Sequence, residues 1–308
     1  MNIAVQAPTV WRRPAKPVAV IGAGIAGLTA AYELERRGIR ATVFESGRAV
    51  GGMASSFKDA EGYTYDFGAH FVSNRLADAM GASGISRTVC HYGEAVALGG
   101  RSYSYPFGLA LSPRYVASAV SARLHPRPVE SAADWFRNAY GEALAEDVAI
   151  PLAEAWSGAR AHELSPAVGH KLAAGVMKTF MLKAASRLSG RAVCNGYSHE
   201  MPESPRVYHV YPEGGVAKLL EPTVARLSDS IALESKVERV YVENGKVVAV
   251  KVNGREIGVS AVVSTAPVHV LPRLVEGTDA LDELAGFRYR PMIFVNLHFN
   301  GRGLLPDT

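Results

Sequence analysis

Residues 18–45 read VAVIGAGIAGLTAAYELERRGIRATVFE, and this stretch constrains the fold more than any other. Val18, Ala19, Val20 and Ile21 form a short apolar run, apolar on both faces as a buried parallel strand requires. Gly22, Gly24 and Gly27 follow at G-x-G-x-x-G spacing, with Ala23, Ile25 and Ala26 between them. Gly22 permits a tight turn off the strand, Gly24 lets a pyrophosphate approach bare backbone, and Gly27 lets a helix pack close to the sheet. Leu28, Ala31 and Leu34 recur at helical spacing, which predicts a helix over 25–37 with Gly38 at its C-terminal end. The start of that helix presents free N–H groups and a partial positive charge to phosphates. A second strand, 41–44, ends on Glu45, whose carboxylate suits a ribose diol and repels a 2′-phosphate. Strand, glycines, helix, strand and acid stand in order within one βαβ unit, the context that gives the glycine spacing its meaning.

The chain continues Ser46-Gly47-Arg48-Ala49-Val50-Gly51-Gly52-Met53. A second Gly-Gly so soon after the acid offers more bare backbone beside the same pyrophosphate, which an NAD dehydrogenase does not generally need. On these residues the chain resembles the FAD family of monoamine oxidases, protoporphyrinogen oxidases and phytoene desaturases. It is more distantly similar to UDP-galactopyranose mutases. That family reads E-x-x-x-R-x-G-G here; its arginine falls on Ala49, with Arg48 one place early. The resemblance implies FAD as cofactor, held by residues 22–27, Glu45, Ser46, Arg48, Gly51, Gly52 and Met53.

Further along, Asp66-Phe67-Gly68-Ala69-His70 matches a D-x-G-x-H segment that lies beside the flavin in the resembled family. Gly68, Ala69 and His70 are thereby expected near the ring, with His70 as the candidate catalytic residue; a structural histidine is the alternative. Tyr211-Pro212-Glu213-Gly214-Gly215 matches a Y-P-x-G-G turn before a helix. A meander follows over 231–259, whose Asn244-Gly245 and Asn253-Gly254 pairs signal type I′ hairpins. By resemblance, Val237 offers its backbone to adenine, and Thr265, Ala266 and Pro267 close a strand running back under the nucleotide.

The 308 residues suffice for one large or two ordinary domains, and 48% hydrophobic with 20% charged residues is an ordinary globular composition. A net charge of +4 with no basic cluster gives no reason to expect nucleic acid. Cys90 and Cys194 have no metal or redox spacing, so no metal is expected and reduced thiols in a cytoplasmic protein are. Residues 1–17 read as a flexible leader without a secretory h-region. No apolar run is long enough to span a membrane.

The expected architecture is α/β. A Rossmann-like FAD-binding domain takes residues 18–105 and 206–280. A mostly helical substrate domain takes 106–205 and 281–308. Within the first, a hairpin is expected over 96–105. Within the second, helices are expected over 113–124, 132–140, 143–156 and 168–188, with Ser112, Ser131 and Ser165 as N-caps. A strand is expected over 292–299, which alternates as MIFVNLHF. The 170–191 segment mixes Lys171, Lys178, Lys183, Arg187 and Arg191 with apolar residues. It suits a solvated outer face, or a face touching a membrane surface or an anionic substrate.

The resemblance implies an FAD-dependent oxidoreductase that passes a hydride from a small-molecule substrate to flavin N5. The alternatives are a non-redox flavoenzyme of the sugar-nucleotide mutase type, and an FAD-binding subunit or incomplete enzyme that needs a partner. Family members carry a C-terminal portion whose glycine-containing segment reaches the flavin ring, and nothing here matches it. A fragment, a second chain supplying the rest, and an open ring side are the three readings of that difference; a homo-oligomer is a separate expected partner state.

Overall fold

The computed structural model describes residues 16–68, 70–91, 95–98, 100–104, 112–171, 176–194 and 204–301. Residues 1–15 of the leader expected over 1–17, Ala69 and residues 302–308 are among those that lie outside them. Two compact units divide the chain. One comprises residues 1–70, 80–82 and 214–289; the other comprises 71–79, 83–213 and 290–308. The main changes between the units fall after 70, 213 and 289, against the expected bounds of 105, 205 and 280.

In the first unit, strand β1 (Val18–Ile21) leads through helix α1 (Ile25–Arg36) to β2 (Ala41–Phe44). A hairpin follows, β3 (Ser56–Lys58) and β4 (Thr64–Asp66). The rest of the unit contributes β5 (Ile231–Ala232), β6 (Val237–Glu243), β7 (Lys246–Val252), β8 (Arg255–Gly258), β9 (Ala261–Ser264) and β10 (Val275–Glu276). The parallel sheet has the order β9-β1-β2-β5. Val18 pairs with both Ala41 and Ala261, and Ile21 with both Phe44 and Ser264. β1 is therefore central and buried along its whole length, which is why its residues are continuously apolar.

Ala19, Ile21 and Phe44 pack against Val237, Val240, Val250, Val252 and Val259 of the meander sheet, β8-β7-β6-β10. On α1, Leu28 and Ala31 are buried at a spacing of three, on one helical face. Both hairpin signals hold. Asn244 and Gly245 have φ of 51° and 72°, and Asn253 and Gly254 of 46° and 77°, the two successive left-handed residues of a type I′ turn.

The second unit is mainly helical, with Pro113–Leu124, Ala132–Tyr140, Ile150–Ser157 and Val176–Ser189 as its longer helices. Ser131 and Asp134 form a capping box on the second of these, worth about 1 kcal/mol. Ser112 makes no side-chain cap bond. Phe136, Ala132, Ala145, Ala149 and Ala153 form the local core. The hairpin pairs Ala95–Leu98 with Arg101–Ser104, and lies in this unit; Gly99 and Tyr105 lie outside the described residues.

Three expectations are corrected here. The helix over 143–156 is interrupted by a π-turn at Ala145–Ala149. Pro151 has no N–H for the carbonyl of Asp147 and its ring crowds that carbonyl, so the preceding turn widens. The helix over 168–188 is a 3₁₀ stretch, Pro166–Lys171, followed by Val176–Ser189. Gly169 there lies under Trp135, where a Cβ would come within 2.2 Å of the indole. The segment 292–299 forms no strand, and Ile293 is 89% and Val295 75% exposed. Alternation supplies the faces of a strand, but a strand also needs a neighbour for its N–H and C=O groups.

Cys194 is buried with its Sγ 3.6 Å from Nδ1 of His209, and burial pushes its thiol up to about 11. Cys90 is exposed. In a timed alkylation with iodoacetamide at neutral pH, Cys90 is expected to react completely before Cys194 reacts at all. Guanidinium chloride should release the second thiol. Equal labelling rates in the native protein would contradict the burial of Cys194.

Candidate functional site: a nucleotide cradle at the first βα turn

The site begins where β1 ends. Gly22 N donates to Phe44 O at 2.9 Å, closing the turn against β2. Gly24 is the N-cap of α1. No side chain among the described residues caps that end, and no acid lies in the first turn. The first N–H groups of α1 have no intrahelical carbonyl partner, and Gly24 forms a parallel bridge with Gly51, which joins the two glycine loops. Gly27 is held by close approach rather than by its dihedrals: a Cβ there would stand 1.9 Å from Gly22 O.

Glu45 ties this loop to its own. Its Oε2 accepts from Ala23 N at 2.8 Å, and its Oε1 from Gly47 N at 2.7 Å and Ser46 Oγ at 3.3 Å. A carboxylate has about four acceptor positions, so a diol can still share these oxygens.

The second Gly-Gly lies alongside. Gly51 N donates to Ala23 O at 2.9 Å, and a Cβ on Gly52 would touch Gly24 Cα at 3.4 Å. Ala54 N donates to Gly51 O at 2.9 Å, Ser55 Oγ to Gly52 O at 2.8 Å, and Phe67 N to Ser55 O at 3.0 Å. Hydrogen bonds thus run from the first glycine loop through the second to the start of the Phe67-Gly68 segment.

On the other flank, Thr265 Oγ1 donates to Ile21 O at 2.8 Å and fills the space left by two glycines. It would lie 2.7 Å from a Cβ on Gly22 and 3.3 Å from one on Gly27.

Not every expected residue joins this cluster. Arg48 pairs with Glu234 at 3.1 Å, both side chains well exposed. Met53 is exposed, and Val237 is buried in the core between the two sheets. Ala266 N donates to Ser264 Oγ at 3.3 Å, and Pro267 caps the 3₁₀ turn Val268–Val270. His70 is half-buried, with Nε2 3.3 Å from Phe67 O. Ala69 lies outside the described residues. Sequence reasoning missed Ser55 and Ser56, whose hydroxyls act within this loop cluster. Serines near glycines are too common to signal that by themselves.

Among the described residues no cluster of His, Cys, Asp and Glu could hold a metal ion, and no helix is long and apolar enough to cross a membrane.

The arrangement defines the class: a parallel-sheet nucleotide-binding protein with a glycine loop, an uncapped helix start and an acid at the end of the second strand. The sequence profile described as flavin containing amine oxidoreductase matches residues 25–307, so the chain belongs to that family, and its cofactor is FAD.

Protoporphyrinogen oxidase 2 (chloroplastic/mitochondrial) of Arabidopsis thaliana is 49% identical over 55 residues, 18% of this chain and 11% of the relative. The 4,4'-diapophytoene desaturase (4,4'-diaponeurosporene-forming) of Staphylococcus haemolyticus is 47% identical over 51 residues, 17% and 10% of the two chains. The structure of reduced UDP-galactopyranose mutase matches at TM-score 0.68 and 19% identity, covering 87% of this chain and 60% of that one. Cyclohexylamine oxidase from Brevibacterium oxydans IH-35A matches at 0.59 and 17%, covering 85% and 60%. Matches at this identity establish the fold. The matched stretches span about a tenth of the curated relatives, and the chain 60% of these solved neighbours.

Proposed function

We propose that the chain is the FAD-holding part of an oxidoreductase acting on a small molecule. The first unit holds the nucleotide, and the second contributes to substrate binding. The observation that carries this reading is the uncapped start of α1 set among Gly22, Gly24, Gly51 and Gly52, with Glu45 already fixed beside it. Backbone N–H groups and the helix dipole suit a pyrophosphate there, and the missing Cβ atoms leave it room. Glu45 orients the ribose, and Thr265 keeps the glycine turn closed. Gly68 and His70 line the flavin side. His70 Nε2, next to the Phe67 carbonyl, can hold a proton at that edge. Arg48 and Met53 lie toward the outer rim.

When bound, FAD supplies the hydride acceptor, so the protein's work is to bind, orient and exclude water. A cytoplasmic location and a solvated outer face for the basic 170–191 segment belong to the same proposal, with contact to a membrane surface or a further chain as the alternatives.

The test begins with the visible spectrum of the purified chain and mass identification of the released nucleotide. Anaerobic titration with an amine, a porphyrinogen, a polyene and a sugar nucleotide follows. Bleaching of the flavin band by one of them is expected. Isomerisation without net oxidation would replace this reading with the mutase one. A folded, colourless chain that takes up no FAD would overturn it.

A further inference from the structure

Two segments far apart in sequence, the β3–β4 hairpin and the turn at Gly215, meet in one hydrogen-bonded knot inside the first unit. Ser56 Oγ donates to Asp66 Oδ1 at 2.5 Å. Val216 N donates to the same carboxylate oxygen at 3.0 Å, and Ala217 N donates to Ser56 Oγ at 3.0 Å. Val216 and Ala217 open the 3₁₀ helix Val216–Leu220, so these are N–H groups that the helix itself cannot satisfy. The N-cap is Gly215, which has no side chain to offer. It adopts a φ of 102°, and a Cβ on it would stand 2.5 Å from Ser56 Oγ and 2.9 Å from Asp66 Oδ1. The second glycine of the Y-P-x-G-G turn therefore makes room for a carboxylate from the β3–β4 hairpin, which supplies the cap from 150 residues away.

Asp66 is also the residue from which the Phe67–His70 segment departs. Gly68 N donates to Asp66 O at 2.9 Å, and Phe67 N donates to Ser55 O at 3.0 Å. The direction of the segment is thus set at a point where side chain and backbone are both held.

We infer that Asp66 is a positioning residue: by capping the 216–220 helix through Oδ1 it orients Phe67 and Gly68 toward the flavin without serving as a cofactor ligand. This rests on the FAD reading for the identity of what the segment faces. The knot itself does not depend on that reading. Only an acceptor oxygen is needed at the Oδ1 position, so asparagine can do the same work and alanine cannot.

The experiment compares wild type with Asp66→Ala, Asp66→Asn and Ser56→Ala, all as the full chain. Hydrogen exchange by mass spectrometry reads the peptides over 67–70 and 216–217, and visible absorption reads the FAD-loaded protein. D66A is expected to speed exchange in both peptides by about tenfold, the equivalent of one lost hydrogen bond. It should also move the flavin band relative to wild type. D66N should restore both readouts, and S56A should raise exchange at 216–217 by a smaller factor. Wild-type exchange at 67–70 in D66A overturns the inference, as does a wild-type flavin spectrum in D66A. If D66A does not fold, S56A decides: unchanged exchange at 216–217 sinks the knot. If wild type takes up no FAD, the functional reading and the flavin part of the inference fail together, and exchange alone rules on the knot.

Discussion

Replacing Gly27 with alanine is expected to abolish FAD retention and to cost about 3 kcal/mol or more of stability, the upper end of what overpacking costs. The new Cβ would lie 1.9 Å from Gly22 O and 3.1 Å from Gly22 C, both backbone atoms that cannot rotate away. Relief requires moving the start of α1 off the end of β1. That breaks the turn proposed to hold the phosphates, and it pushes on Thr265 Oγ1, only 3.3 Å from the same Cβ. Gly38→Ala is the control. Gly38 has a φ of 71° but open space around it, so alanine there costs only the left-handed strain, about 1 kcal/mol. Guanidinium chloride unfolding and flavin absorbance of the purified variants measure both. A G27A protein as stable and as yellow as wild type would refute the close-packed turn.

Glu45→Gln is expected to weaken FAD binding by about tenfold or more and to cost about 2 kcal/mol of stability. The substitution keeps the shape and removes the charge, but charge is only part of the effect. Both carboxylate oxygens accept backbone N–H groups, from Ala23 and from Gly47. A glutamine has one acceptor and one donor end, so either amide orientation sets N–H against N–H. The glycine loop and the loop after β2 can then not both be held. FAD titration followed by flavin fluorescence, with denaturant unfolding of the apo chain, separates the two losses. An E45Q chain that loses affinity at unchanged apo stability would mean that Glu45 acts on the ligand alone.

Much of the first unit was legible from local pattern. β1, α1 and β2 start where the glycines and apolar runs put them, and the two Asn-Gly turns form as read. These features depend on neighbours within a few residues. The failures share a different cause. The 292–299 segment has strand alternation but no strand, because a ladder needs a second chain segment that alternation does not specify. The helix through Pro151 was read across its proline, and the structure answers with a π-turn. Arg48, which motif position puts near the cofactor, also meets Glu234, 186 residues away, a contact that no local pattern shows.

By itself, the sequence determined the βαβ unit, the glycine loop, the acid at the end of β2 and thereby the nucleotide-binding class. Backbone permissiveness and apolar periodicity are properties of consecutive residues. Only the tertiary structure decided which glycines are needed for space and which side chains fill it. Thr265 lies in the gap left by Gly22 and Gly27, Glu45 bridges two loops, and Asp66 and Ser56 cap a helix that begins 150 residues beyond Asp66. Each of these depends on a distance between segments that meet only when the sheet assembles, and no local pattern encodes such a distance.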